Sequence, residues 1–185
     1  MRVIAGKYKG RHLKSVAGMK TRPTSDKLKE AIFNMIGPYF EGGYCLDLFA
    51  GSGALGIEAI SRGMEKAIFV DHAIAAIRTI KQNIANLNIE KHCEVYRNDA
   101  FRALYILAKR KLTFDFIFLD PPYEKIDYEK LLKKIEQSNI VNVHGIIYIE
   151  HKPSEKIHFQ ESLYSIMNEK KFNKTTAITI IQKMK

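Results

Sequence analysis

A chain of 185 residues, 46% of them hydrophobic, is long enough to bury one core and most simply forms one domain. No apolar stretch approaches the ~20 residues needed to cross a bilayer, and Met1-Arg2-Val3-Ile4-Ala5-Gly6 lacks the apolar block of a signal peptide, so a cytoplasmic protein is expected. The net charge of +10 is concentrated at the two ends: residues 1–30 hold nine Lys/Arg against Asp26 and Glu30, and residues 170–185 hold five lysines and no acid. That distribution points to a surface facing a polyanion, with nucleic acid the usual partner.

Residues 2–16 alternate loosely around G-K-Y-K-G (6–10), which suggests a basic hairpin. A helix is expected from Thr24 or Ser25, with Asp26 at the positive end of its dipole. Leu28, Ala31, Ile32, Met35 and Ile36 form its apolar face, and Gly37-Pro38 ends it. Strands and helices then alternate. Strands are predicted over 44–49, 67–71, 94–98, 114–120, 146–150 and 177–182, and helices over 54–61, 73–87, 100–110 and 127–137. Near-continuous apolar strands separated by helices argue for a mostly parallel sheet covered on both faces. Cys45 and Cys93 fall within strand-like runs and read as buried reduced thiols. The six histidines show no metal-ligand spacing, so no metal site is expected.

In such a sheet, ligands bind beyond the carboxyl ends of the strands. Those ends are Gly51 to Gly53, Asp71, Asp99 and Asp120, and three of the four carry a carboxylate. The segment D-L-F-A-G-S-G-A-L-G (47–56) contains G-x-G-x-x-G, which on its own also fits a dinucleotide oxidoreductase. Asp47 precedes the glycines, where it can meet an ammonium group but would not help a pyrophosphate. Asp71 suits two ribose hydroxyls. Together they favour S-adenosylmethionine, whose amino-acid tail is cationic, with Phe49, Ala50, Gly51, Ser52 and Gly53 forming the loop around it. Gly56 reads equally as a helix–strand packing residue. Asp99 is placed to accept from the adenine amino group, beside Ala100 and Phe101, and is equally suited to cap a helix.

F-D-F-I-F-L-D-P-P-Y (114–123) is an apolar strand that stops at a carboxylate and two prolines, neither of which can donate to the sheet. With F-A-G-S-G it resembles class I methyltransferases acting on exocyclic amino groups. More narrowly, the chain resembles the bacterial 16S rRNA guanine-N2 methyltransferase family, which modifies guanine 966 of the small-subunit RNA. The resemblance is carried by M-R-V-I-A-G-K-Y-K-G-R-H-L-K, T-R-P-T-S-D-K-L-K-E-A-I-F-N, L-D-L-F-A-G-S-G-A-L-G-I-E-A-I-S-R-G and the D-P-P-Y strand. It departs in having Asp71 where the family usually has Glu, and Phe172-Asn173-Lys174-Thr175 where the family tends to have an aromatic-glycine pair followed by Thr. Asn173 is expected to keep that turn by tolerating positive φ.

The resemblance implies a single doubly wound, seven-stranded methyltransferase sheet with helices on both faces. It divides the chain into a basic N-terminal hairpin extension (1–23) and the methyltransferase domain (24–185). The implied activity is S-adenosylmethionine-dependent methylation of a guanine N2 amino group, in 16S rRNA or a partly assembled small subunit, with no membrane and no obligatory protein partner. Asp120 and the Pro121 carbonyl would accept from the two amino N–H bonds, Pro122 would stiffen the turn, and Tyr123 would stack on the unstacked base. Arg22 and Thr24 would close over the cofactor or guide RNA, and Arg2, Lys7, Lys9 and Arg11 would bind phosphates. A DNA adenine-N6 methyltransferase shares the motifs, but the interval from Gly53 to Asp120 leaves no room for a target-recognition region. A protein glutamine methyltransferase typically has Asn in place of Asp120. A non-catalytic RNA-binding assembly factor would not need an intact D-P-P-Y beside an intact glycine loop.

Overall fold

Amphipathic helices and apolar strands alternate because each needs the other to cover its hydrophobic side. The computed structural model describes residues 1–17, 26–122 and 126–185. Within them run α1 (Asp26–Ile36), β1 (Tyr44–Asp47), α2 (Ala54–Ser61), β2 (Lys66–Asp71), α3 (Ile74–Leu87), β3 (Cys93–Arg97) and α4 (Ala100–Lys109). These are followed by β4 (Phe114–Leu119), α5 (Tyr128–Ser138), β5 (Val141–His151), β6 (Tyr164–Lys171) and β7 (Ala177–Lys183). The strands form one seven-stranded sheet in the order β3-β2-β1-β4-β5-β7-β6. β1 to β5 are mutually parallel, and β7 runs antiparallel to both its neighbours. The strand order reverses between β1 and β4, which places the ligand crevice of such a sheet at the carboxyl ends of those two strands.

Two apolar clusters fill the faces. One joins Ile32 and Phe33 of α1, Ile57 of α2, Ile80 and Ile84 of α3, and the inward residues Cys45, Phe69, Phe118 and Tyr148. The other joins Leu104 and Leu107 of α4, Leu131 and Ile135 of α5, and Leu46, Ile68, Ile117 and Ile147. The N-terminal segment is part of the first cluster through Val3 and Leu13, both buried. It is a narrow antiparallel arm with the single bridge Arg2–His12, its tip anchored where Lys7 N donates to Ser61 O at 2.7 Å. The boundary expected between residues 23 and 24 falls outside the described residues.

Several expectations need correction. β1 stops at Asp47, two residues early: Leu48 and Phe49 already form a turn, although Leu48 N still donates to Phe118 O at 3.2 Å and Ala50 N to Val70 O at 3.0 Å. β5 begins at Val141, five residues earlier than predicted, through the polar stretch Asn142-Val143-His144-Gly145, and its pairing with β4 is irregular between Phe114 and Phe116. β6 was not predicted at all. Of its residues only Tyr164 is buried, so this edge strand, Y-S-I-M-N-E-K-K, carries no alternating apolar signal. Cys45 is buried but Cys93 only half-buried. Both face Ala67 from opposite sides, two strand spacings or ~10 Å apart, too far for a disulfide. Burial pushes both thiols up, Cys93 to about 12.

The Asn173 turn exists, but not by positive φ, which Asn173 does not adopt. Its Oδ1 instead accepts from Thr175 N, Thr175 Oγ1 and Thr176 N at 2.8, 2.8 and 2.9 Å, replacing backbone freedom with side-chain bonds. Lys29, counted in the basic N-terminal stretch, is wholly buried and pairs with Glu58 at 3.1 Å, so it contributes nothing to a basic surface.

Candidate active site

Strand alternation aims four carboxylates at one place. Asp47 lies opposite Phe69 and Phe118 in the sheet, and Phe118 lies opposite Tyr148; all three of these rings face the α1–α3 side. Asp71, Asp120 and Glu150 each stand two residues beyond one of those rings and share its side. The carboxyl ends of β2, β1, β4 and β5 therefore present an acidic rim across the topological switch point.

The glycine loop is fixed by that rim. Asp47 is 2% exposed and accepts from Gly56 N at 3.1 Å. Asp71 Oδ2 accepts from Gly51 N at 2.9 Å and its Oδ1 from Ala73 N at 2.8 Å, which leaves lone pairs on both oxygens for a diol. Gly51 has φ +54 and a Cβ there would meet nothing within 4 Å, so bare backbone faces open space. Gly56 has a different reason: its Cβ would stand 2.4 Å from the Phe69 ring, making it a packing glycine. Ala50 and Gly53 are buried, and Phe49, Gly51 and Ser52 half-buried. Asn83, fully buried on α3 and not singled out from sequence, donates to Ser52 O at 2.9 Å and to Lys14 O at 3.0 Å, and accepts from Lys14 N at 2.8 Å. It ties the end of the arm to the loop.

Asp99 caps α4, its Oδ1 accepting from Phe101 N at 2.9 Å and Arg102 N at 3.2 Å. Capping does not bury Asp99, which also lines an open cavity of about 290 Å³ with His72, Arg97 and Asn98 at the ends of β2 and β3. Ala100 is buried below it and Phe101 half-buried. Asp120 is half-buried just past the end of β4, with Pro121 buried and Pro122 exposed. Tyr123, Arg22 and Thr24 lie outside the described residues. Of the arm residues, Arg2 pairs with Asp26 at 3.1 Å and Arg11 donates to Asn86 O at 2.7 Å, while Lys7 and Lys9 are exposed at the arm's tip.

Sequence reasoning missed Glu150, which is buried, accepts from Tyr148 Oη at 3.0 Å and follows Ile149, the register partner of Leu119. The strand-end rule that named Asp71 and Asp120 extends to it, at the close of I-I-Y-I-E. Crowded acids resist ionising together. Burial, then the Glu150 and Asp47 carboxylates, pushes Asp120 well above the carboxylate range. Burial pushes Asp47 up to about 7, offset in part by the Gly56 N–H.

These shifts predict an unusual pH dependence for the unliganded protein. The folded state keeps the Asp47 proton up to about pH 7, whereas the unfolded chain releases it near 3.8. Between those values the folded state binds more protons, so its stability falls as pH rises, by at most about 4 kcal/mol from this group. Urea midpoints at pH 5 and pH 8 should show the decline, and Asp47→Asn should flatten it. An unchanged slope in that variant would remove Asp47 as its source.

The chain matches the family model described as Conserved hypothetical protein 95 over residues 1–181. It belongs to this family. It is 58% identical over 151 residues to a Bacillus subtilis protein provisionally named rRNA methyltransferase YlbH, covering 82% of each chain. It is 30% identical over 170 residues to the ribosomal RNA small subunit methyltransferase D of Escherichia coli K12, covering 92% of this chain and 84% of that one. Among solved structures, the Escherichia coli protein provisionally described as methyltransferase yhhF superposes with a TM-score of 0.84 at 29% identity, over 100% of this chain and 98% of that one. The family's sheet, seven strands with helices on both faces, is the fold found here.

Proposed function

We propose that this protein transfers the methyl group of S-adenosylmethionine to the exocyclic N2 of a guanine in 16S rRNA, position 966 by family resemblance. The observation that carries the reading is the placement of Asp47 and Asp120 on either side of the switch point, beside a glycine loop whose backbone faces open space. The residues suit the cofactor: Asp47 answers its ammonium, Asp71 its ribose hydroxyls and Asp99 its adenine amino group, over the Phe49–Gly53 loop. Once bound, the cofactor supplies an electrophilic methyl group on a positively charged sulfur.

The chain's own residues must then manage a weak nucleophile, because the guanine amino lone pair is delocalised into the ring. Asp120 and the Pro121 carbonyl accept from the two N–H bonds, favour a pyramidal nitrogen and stabilise its growing positive charge. Transfer of the methyl group to nitrogen would leave the C–S bond pair on the cofactor's sulfur as a neutral thioether. The surplus proton on nitrogen passes to Asp120 in its ionised form, which burial and then the neighbouring Glu150 and Asp47 carboxylates make a better acceptor than an ordinary carboxylate. Tyr123 offers a stacking surface for the base, Pro122 restricts the turn, Arg22 and Thr24 close over the site, and Arg2, Lys7, Lys9 and Arg11 engage phosphates of a large RNA. Naked 16S RNA or a partly assembled small subunit is the substrate, in the cytoplasm; no helix among the described residues is long and apolar enough to cross a membrane.

The test incubates the protein with methyl-labelled S-adenosylmethionine and naked 16S RNA, assembled small subunits or plasmid DNA, and digests the products to nucleosides. Label in N2-methylguanosine from an RNA sample is expected. Label in DNA alone, or in another RNA nucleoside, rejects the reading.

A further inference from the structure

A row of register partners leads from the acidic rim to the edge of the sheet and ends on a lysine. Leu119 of β4 faces Ile149 of β5, so Asp120 and Glu150 follow side by side. Glu150 faces Ile178 of β7, and Ile178 faces Lys170 of β6. Residues directly opposite one another share a face. Lys170 therefore projects on the same side as Asp120, three strand spacings or ~14 Å away.

Beyond Lys170 the chain turns back into β7. Because β7 is antiparallel to β5, with Ala177 facing His151, this turn lies at the same end of the sheet as Asp120. The three bonds to Asn173 Oδ1 hold its shape. Phe172 is packed against the core, and the Lys170 ammonium sits 5.2 Å from the centre of its ring. Lys170, Lys171 and Lys174 are all exposed, and residues 170–185 contain no acid. The lysines at the tip of the arm are placed differently. Lys7 is bonded to Ser61 at the far end of α2, and the eight residues of that helix put the tip ~12 Å below the glycine loop.

We propose that the β6–β7 turn is a phosphate-binding surface for the RNA strand flanking the target guanine, with Lys170, Lys171 and Lys174 as its contacts and Phe172 positioning Lys170. This rests on the RNA reading above. A base drawn out of its stack toward Asp120 brings its neighbouring phosphates to the rim, and on the β5–β7 side this turn brings three exposed lysines to that rim. Lys7 and Lys9 at the arm's tip are left to engage more distant parts of a large RNA.

The test measures binding of a 16S RNA fragment carrying the target guanine by the full chain across a salt series. K170Q/K171Q/K174Q is expected to raise the RNA Kd about tenfold or more at low salt and to reduce the slope of log K against log salt by about 2 to 3. Its Kd for S-adenosylmethionine should be unchanged, which excludes misfolding as the cause. F172A should reproduce part of the loss. K81Q/K91Q/K133Q removes the same charge from exposed positions elsewhere and serves as the control. A wild-type slope in the first variant, or an equal loss in the control, overturns the assignment while methylation by the wild type stands. A wild type that methylates no RNA overturns both.

Discussion

Asp120→Ala is expected to lower kcat by about 10²- to 10³-fold, the effect typical of removing a preorganised group that meets developing charge. The Kd for S-adenosylmethionine should stay within about threefold. The dissociation of the two effects follows from where the carboxylate stands. Asp47 and Asp71 hold the glycine loop through Gly56 and Gly51, so the loop keeps its shape without Asp120. Removing Asp120 also relieves the crowding of three acids at the rim, so the variant should unfold no more easily than the wild type. Asp120→Asn keeps one acceptor oxygen but loses the charge and the ability to take the proton. It should therefore fall between wild type and alanine, with most of its loss in kcat. Single-turnover methyl transfer together with calorimetric titration of the cofactor separates the two constants. Wild-type turnover by the alanine variant would remove Asp120 from the chemistry. A cofactor Kd raised in parallel with the lost turnover would move it into the binding site instead.

Much of the fold was legible because its signals are local. Strands buried on both faces must be apolar almost throughout, and F-I-F-L or A-I-F-V cannot be mistaken for an amphipathic helix. The helices between them repeat their apolar positions at helical spacing. The same logic explains the failure at β6, since an edge strand with a single buried residue has no reason to be apolar and S-I-M-N-E-K-K reads as a loop. The carboxylates of the rim were legible from strand ends, because topology alone carries a strand's last residue to the crevice. Glu150 was legible in the same way, since the predicted fifth strand, 146–150, ends on it, but it was not counted among the strand-end carboxylates. Asn83 could not have been found this way. Its importance lies in matching three backbone groups from segments 31 and 69 residues away in sequence, and nothing local distinguishes it from a solvated asparagine. Lys29 misled for a related reason. In sequence it is one more cation in a basic stretch, and only the packing of α1 on α2 reveals its partner.

That partner makes Glu58 the other position where a single change should be costly. Glu58 is wholly buried on α2, a place where a carboxylate is tolerated only if its charge is answered from several directions. Four donors answer it: Ile4 N and Ala5 N of the arm at 2.9 Å each, Lys29 Nζ of α1 at 3.1 Å and Arg62 Nε at 2.9 Å. Lys29 also donates to Arg2 O, and Arg62 to Pro38 O. Glu58 and its two cations thus join the arm, α1, α2 and the loop after α1. Glu58→Ala leaves two cations and two backbone N–H groups without their acceptor in a place water does not reach. A loss of about 3–5 kcal/mol is expected, or roughly 10 °C in Tm for a chain of this size. The cause is the stranded charge rather than the missing attraction, and this makes a sharper test possible. Lys29→Met with Glu58→Gln removes one cation and the anion together, leaving an amide that can still accept from the arm. That double variant should be more stable than Glu58→Ala despite carrying one more substitution. If Glu58→Ala melts with the wild type, the network does not seat the arm. If the double variant is the less stable of the two, the ion pair contributes through attraction and the desolvation argument fails.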